Sequence, residues 1–102
     1  MDSKTLKALA RQSGADLVGI APIESWVNWP DPNNPRRIQP LCQSVVVVGR
    51  RILRGAIRGV EEGTSFNNTY GEYGQSWNET AFLVRTIHQI ALALEAHGAE
   101  SV

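Results

Sequence analysis

The sequence has 102 residues, of which 42% are hydrophobic and 20% are charged, and its ten basic residues balance its ten acidic ones. A chain of this length forms one domain at most, and a formal charge of zero removes the counterion release that drives nonspecific binding to DNA or RNA. No apolar run approaches the roughly 20 residues that span a bilayer, and the start of the chain shows no secretory signal. We therefore expect one cytoplasmic domain with no nucleic-acid or membrane partner.

Few side chains are available to hold a metal. The thiol and imidazole ligands are Cys42, His88 and His97. An iron–sulfur cluster needs several thiolates, and a structural zinc site usually needs four Cys or His ligands. The sequence therefore predicts no metal centre in this chain, and the single cysteine excludes an internal disulfide and fits a reducing compartment.

The first part of the chain predicts a helix, a strand and a loop in that order. Ser3 is suited to cap a helix that ends at Gly14, where glycine adopts a left-handed conformation without steric cost. Residues 16–21 then form a short apolar strand closed by Pro22. Residues 28–40 contain four prolines, which lack the N–H that a strand or helix requires, and predict an extended surface loop.

The clearest strand is residues 44–48, an unbroken run of β-branched side chains after Ser44. Such a run is typical of a central strand covered on both faces, usually in a parallel sheet. Residues 50–62 fit a helical face that Gly55 and Gly59 weaken, so their structure is left open. Residues 63–75 predict a loop rich in glycine and asparagine.

The last third predicts a long amphipathic helix over residues 76–97. Ser76 and Glu79 have the spacing of a capping box, and Gly98 is placed to terminate the helix. Its apolar stripe consists of Trp77, Ala81, Val84, Ile87, Ile90, Ala91 and Leu94. Residues 99–102 resemble the first residues of another strand, which would complete a right-handed crossover. The fold class predicted is therefore α/β, a small and mostly parallel sheet flanked by helices, forming one incomplete domain over residues 1–102.

Several segments together resemble the amino-terminal part of epoxyqueuosine-reductase-like iron–sulfur proteins, whose architecture reductive dehalogenases share. The segments are GADLVGIAPIESW (14–26), PLCQSVVVVG (40–49), YGEYGQSWNE (70–79) and the helix that ends in LEAHGAESV. The resemblance implies a nitroreductase-like α/β domain followed by a module with two [4Fe–4S] clusters, with a corrinoid such as cobalamin bound between the two parts. The cysteine-rich module is missing from this sequence.

The favoured hypothesis is that the chain is the amino-terminal segment of such an oxidoreductase, has no catalytic activity alone, and has the remainder of a parent redox protein as its partner. The alternative is a non-enzymatic binding or assembly module that dimerises with a second copy through an open sheet edge. A third hypothesis is a small enzyme with an anion site.

Tyr70, Tyr73 and Asn78 are candidate cofactor-binding residues because they lie in the segment most similar to the family. Their phenol and amide groups would line a ligand cleft at the mouth of the sheet, where open α/β folds bind ligands. The alternative is that the tyrosines pack on the long helix.

A cluster of arginines follows the central strand, at positions Arg50, Arg51, Arg54 and Arg58. Guanidinium groups grip phosphates in pairs, so Arg50 and Arg51 are also candidates for cofactor binding. The alternative is a solvated face that Glu61 and Glu62 partly neutralise. No P-loop or dinucleotide-binding motif accompanies the cluster.

The remaining candidates have simple structural interpretations. Cys42 has no neighbouring histidine to activate it and is predicted to be a small buried residue rather than a reactive thiol. His88 and His97 are predicted to be structural. Trp26 and Trp29 would form an aromatic wall for a ligand or cover one edge of the core. No catalytic residue is predicted, since no paired carboxylates or Ser–His–Asp arrangement can be assigned.

Overall fold

The computed structural model describes residues 1–64 and 67–102. Its regular elements are helix α1 (Ser3–Gln12), strand β1 (Leu17–Pro22), strand β2 (Ser44–Gly49), the short helix α2 (Arg58–Glu62) and helix α3 (Leu83–Ala96). Wide π-helical turns over Asn67–Ser76 and Asn78–Phe82 lead into α3. Within the described residues, no helix is both long enough and apolar enough to cross a membrane.

The sheet overturns the predicted fold class. Strands β1 and β2 pair antiparallel, with Val18 opposite Val48 and Ile20 opposite Val46. The connection between them contains short 3-10 turns, at Ile23–Trp26, Asp31–Asn33 and Pro35–Arg37, instead of a crossover helix. A connection that returns to the same end of the sheet, and does not cross over it, gives an antiparallel pair. The fold is therefore α+β, and the prediction of a mostly parallel α/β sheet is wrong.

The unbroken valine run of β2 is not covered on both faces. Val46 and Val48 pack against the core, as do Val18 and Ile20 from β1. On the opposite face Val47 is 53% exposed. The sheet therefore has one covered face and one open face, and the run of valines reflects strand propensity more than double burial.

The core lies between the covered face of the sheet and helices α1 and α3. Its buried centre consists of Leu6 and Ala10 from α1, Ala15 from the following turn and Ile90 from α3. Leu94 packs against this centre from the next turn of α3. The short connection from α1 through Ala15 into β1 brings the helix back over the sheet, which is why this end of the molecule is the best packed.

The N-cap of helix α1 lies one residue before the predicted one. Asp2 is the N-cap, and its carboxylate accepts a 2.8 Å hydrogen bond from the backbone N–H of Thr5, while Ser3 is already inside the helix. Hydrogen bonding to Thr5, from its side chain and then from this backbone N–H, holds the pKa of Asp2 below its ordinary value. Both residues are good caps, so local sequence alone did not distinguish them.

The segment before α3 differs from the prediction of a loop followed by a capped helix. Asn67–Ser76 is helical, so the chain already has helical geometry at the predicted capping box. The backbone carbonyl of Ser76 accepts a 2.7 Å hydrogen bond from the Thr80 hydroxyl. Ser76 is consequently not an N-cap, and the part of the predicted loop at residues 65–66 lies outside the described residues.

The buried face of α3 is rotated relative to the predicted stripe. Thr86 and Ile90 are buried, whereas Val84 and Ile87 are about half exposed. After α3, residues 99–102 form no strand, so the predicted crossover is wrong for this chain. In the part of the chain that the structure describes, the sheet has two strands, and α3 packs on α1 and on β2.

We expect Ile90→Ala to lower the free energy of unfolding by about 2 to 4 kcal/mol, because it leaves a cavity between α1, α3 and the sheet. The matched control is Ile87→Ala, the same change on the exposed side of the helix, for which we expect about 1 kcal/mol or less. Urea denaturation followed by circular dichroism measures both. Equal losses would contradict the orientation of α3.

Candidate functional site

A cleft of about 370 Å³ opens where β2 ends. Its walls come from the α1–β1 turn, the residues after β2, and the helical turns that precede α3. Its lining residues are Gly14, Asp16, Arg50, Arg51, Ile52, Leu53, Tyr73, Gly74, Asn78 and Phe82. The volume falls within the range of small-molecule sites. Four of the five candidate cofactor-binding residues, Arg50, Arg51, Tyr73 and Asn78, meet here.

The guanidinium of Arg50 is held in a fixed position at the back of the cleft. Its Nη1 donates a 3.1 Å hydrogen bond to the hydroxyl of Thr86, and its Cζ lies 5.7 Å from the centroid of the Phe82 ring. This distance is within the range of a cation–π contact. Arg50 is therefore ordered by two neutral groups, a hydroxyl and an aromatic ring, which do not neutralise its positive charge.

Thr86 connects this arginine to α1. Its side chain is almost fully buried at 1% exposure, and its hydroxyl lies 2.8 Å from the carbonyl oxygen of Ser13 and 3.2 Å from that of Phe82. A threonine hydroxyl has one proton, so it donates mainly to the nearer Ser13 while accepting from Arg50. One buried hydroxyl thus joins α1, α3 and the end of β2.

Gly14 makes room for this arrangement. Its backbone has a φ of +108°, and a Cβ at this position would collide with Nη1 of Arg50 and lie 3.1 Å from the Thr86 hydroxyl. A side chain is therefore excluded both by conformation and by contact. The sequence predicted that Gly14 ends the first helix. In the structure Gly14 also leaves the space that the Arg50 guanidinium occupies.

Arg51 and Asp16 form the outer rim of the cleft. The backbone N–H of Arg51 donates a 2.8 Å hydrogen bond to Oδ2 of Asp16, and the backbone N–H of Asp16 donates to the carbonyl of Gly49. These bonds attach the α1–β1 turn to the end of β2. The Arg51 side chain takes no part in them and is exposed.

The opposite wall comes from the π-helical turns. The side-chain amide of Asn78 donates to the carbonyl of Arg50 at 3.4 Å, which is a long and weak hydrogen bond. The Tyr73 ring packs edge-on against Trp77, with centroids 5.7 Å apart. Gly74 is buried, and there is little room for a side chain at this position, since a Cβ there would lie 3.2 Å from Ile52 and from Ala56.

Tyr70, the fifth candidate, lies beside the cleft and is not part of its lining. Its Cδ2 is 3.5 Å from the position of a Cβ at Gly74. The sequence also allowed the tyrosines to pack on the long helix predicted over residues 76–97. The contact of Tyr73 with Trp77 is packing of this kind. Packing of this kind does not remove Tyr73 from the cleft, because its ring is 40% exposed.

The arginine cluster divides into two pairs. Arg54 forms a two-pronged ion pair with Glu61, with N–O distances of 2.6 and 2.7 Å, and this bond raises the pKa of Arg54 above its ordinary value. Arg58 pairs with Glu62 at 2.9 Å. Among the described residues, the side chains of Arg50 and Arg51 pair with no carboxylate.

Other candidates lie away from the cleft. The thiol of Cys42 is only half-buried, 3.3 Å from the carbonyl oxygen of Ser44, so the prediction of a buried cysteine is wrong. Trp26 and Trp29 contact each other with ring centroids 6.4 Å apart. Nδ1 of His97 lies 2.9 Å from the Ala93 carbonyl oxygen, a contact within α3. The described residues contain no group of three or more side chains placed to hold a metal ion.

Sequence reasoning missed three residues that build the site, Thr86, Phe82 and Asp16. Thr86 had a usable signal, since it lies one helical turn before Ile90 and so shares its face. A polar residue on a buried helical face generally has a hydrogen-bond partner. The partners themselves are far apart in sequence, and no local pattern joins Thr86 to Ser13 or Arg50.

We expect Thr86→Val to lower the free energy of unfolding by about 1 to 3 kcal/mol, because it leaves the buried Ser13 carbonyl and Arg50 without a partner. Thr86→Ser keeps the hydroxyl and should recover part of this loss. The control is Thr80→Val, at an exposed hydroxyl that bonds within its own helix, with an expected change of about 0.5 kcal/mol or less. Urea denaturation of the three variants provides the test, and an unchanged Thr86→Val protein would contradict the network.

Comparison with protein-family models, with curated proteins and with solved structures finds no match for this chain. The resemblance to epoxyqueuosine-reductase-like proteins therefore stays a prediction from the sequence segments that suggested it.

Proposed function

We propose that this chain is the amino-terminal segment of an iron–sulfur oxidoreductase of the epoxyqueuosine-reductase-like class, and that it forms part of a cofactor-binding cleft without catalysing a reaction alone. One observation carries the proposal. Arg50, Arg51, Tyr73 and Asn78 were selected from separate parts of the sequence and line the same cleft.

The composition of the cleft favours binding over chemistry. Its walls provide two cations, an amide, a phenol and the ring of Phe82, which are groups that orient a ligand. Among the lining residues in the described part of the chain, there is no histidine, cysteine or serine to act as a base or nucleophile. The carboxylate of Asp16 already accepts from the backbone of Arg51. Catalytic groups would then come from the rest of the parent protein.

The open surface supports a role as one part of a larger protein. The radius of gyration is 16.4 Å, compared with about 13 Å for a compact domain of about 100 residues. Large apolar side chains are exposed on β1 and on the connection between β1 and β2, with Leu41 at 85%, Ile38 at 76% and Leu17 and Val27 at 72%. Apolar exposure on this scale is typical of surfaces that other protein covers.

The size of the cleft limits what it would hold. A corrinoid is larger than about 370 Å³. The proposal therefore assigns one edge or one substituent of such a cofactor to this cleft, and the remainder of the cofactor to surfaces that other parts of the parent protein supply. The clusters themselves have no ligands here and would belong wholly to those other parts.

We expect the purified chain to bind cobalamin weakly and saturably, because it provides only part of the contact surface. Visible absorbance in equilibrium dialysis measures the binding. Tyr73→Ala should weaken it by about threefold to tenfold, the loss of one aromatic contact. Trp29→Ala removes an exposed aromatic side chain outside the cleft and should leave binding unchanged. Absence of saturable binding, or equal effects of the two substitutions, would count against the cofactor role.

A second candidate function is assembly through the sheet, with a second copy of the chain as the partner. Strand β2 carries no charged residue or proline over Ser44–Gly49, and it pairs with β1 on one side only. Its outer edge therefore presents backbone N–H and C=O groups and exposed Val47 to a partner strand.

Under this second hypothesis, sedimentation equilibrium should detect a reversible dimer. Val47→Lys should weaken the dimer by about tenfold or more, because paired edges would bring like charges together. Val84→Lys is the control, since Val84 on α3 has the same 53% exposure as Val47. A monomer at all concentrations, or equal weakening by both substitutions, would exclude pairing through β2.

A further inference from the structure

The division of the arginine cluster leaves two arginines, Arg50 and Arg51, in the lining of the cleft. Arg54 and Arg58 are neutralised by Glu61 and Glu62 on the helical turn that follows. Arg50 and Arg51 line the cleft, and within the described ranges neither side chain pairs with a carboxylate. Adjacent arginines with unpaired charges in a concave site are a common way to bind an oxyanion.

Arg50 is organised in advance for such a ligand. A guanidinium has five N–H donors, and the Thr86 hydroxyl takes one of them. The Phe82 ring at 5.7 Å restricts the plane of the group. The position is therefore fixed by neutral contacts. Among the described residues no other hydrogen bond takes up the remaining donors, and a side chain ordered in advance reduces the entropy lost when a ligand binds.

The charge balance of the cleft is positive. Its charged lining residues are Arg50, Arg51 and Asp16, which sum to a net charge of +1. Oδ2 of Asp16 is occupied by the backbone N–H of Arg51, which holds the carboxylate at the rim. Between described residues, the amide of Asn78 makes one long hydrogen bond of 3.4 Å, so it can turn to donate to a ligand oxygen.

We infer that this cleft binds a phosphate group, with Arg50 and Arg51 as its two cationic ligands and Asn78 as a neutral donor. A phosphate has more acceptor oxygens than a carboxylate, so it can be shared by two guanidinium forks. The apolar walls, Ile52 and Leu53 among them, would contact the rest of a phosphorylated ligand. This inference rests on the proposal that the cleft is a ligand site, and it does not require the redox class of that proposal.

The test uses inorganic phosphate as the probe, titrated against chloride at constant ionic strength and followed by phosphorus NMR line broadening. We expect saturable binding by the unmodified chain. Arg51→Gln should weaken it by about tenfold or more, because one charge-assisted contact is lost. This substitution preserves the backbone bond to Asp16, so the fold should be retained. Arg54→Gln is the control with the same change in net charge, and it should alter phosphate binding by less than about twofold.

Two results would overturn the inference: no saturable phosphate binding, or equal weakening by Arg51→Gln and Arg54→Gln, which would indicate general attraction to positive charge. Arg50→Gln is a second variant, and it should also abolish binding if the protein stays folded by circular dichroism.

A cobalamin titration separates this inference from the function proposed above. Phosphate binding without cobalamin binding supports the anion site and contradicts the corrinoid role. Cobalamin binding without phosphate binding supports the corrinoid role and contradicts the anion site.

Discussion

The buried hydroxyl of Thr86 is the contact on which the rest of the structure depends. It accepts a hydrogen bond from Arg50 and donates one to Ser13, and so it joins the end of β2, the end of α1 and the first turns of α3. A core this small has few other ways to fix the relative positions of three elements. The absence of a side chain at Gly14 is a condition for it, since the guanidinium occupies that space.

The hydrogen bond between Arg50 and the Thr86 hydroxyl is also a reason why the cleft carries positive charge. A carboxylate in place of Thr86 would have fixed Arg50 equally well and cancelled its charge. Because the partners are a hydroxyl and the Phe82 ring, the guanidinium is ordered and still cationic. Beside it, Arg54 and Arg58 are neutralised by their own glutamates, so the positive charge that remains near the end of β2 is concentrated on Arg50 and Arg51.

Much of the candidate site could be predicted from the sequence, because its residues are of types that bind ligands and lie at the ends of regular elements. Arg50 and Arg51 follow the strongest strand, and Tyr73 and Asn78 lie just before the amphipathic helix. What could not be predicted was which arginines would stay unpaired. Arg54 reaches Glu61 only because a 3-10 turn followed by α2 brings the two side chains together, and local sequence left that segment undecided.

By itself the sequence predicted a first helix, two strands at residues 16–21 and 44–48, and a final amphipathic helix. The structure has the strands at Leu17–Pro22 and Ser44–Gly49. Runs of β-branched residues, the helical spacing of apolar residues and the positions of glycines are local properties, so they were sufficient for this. Tertiary structure alone decided that the strands run antiparallel, that one face of β2 stays open, and that α3 turns Thr86 and Ile90 inward in place of Val84 and Ile87. These features depend on which surfaces meet, because strand direction and helix rotation are selected by packing between residues distant in sequence.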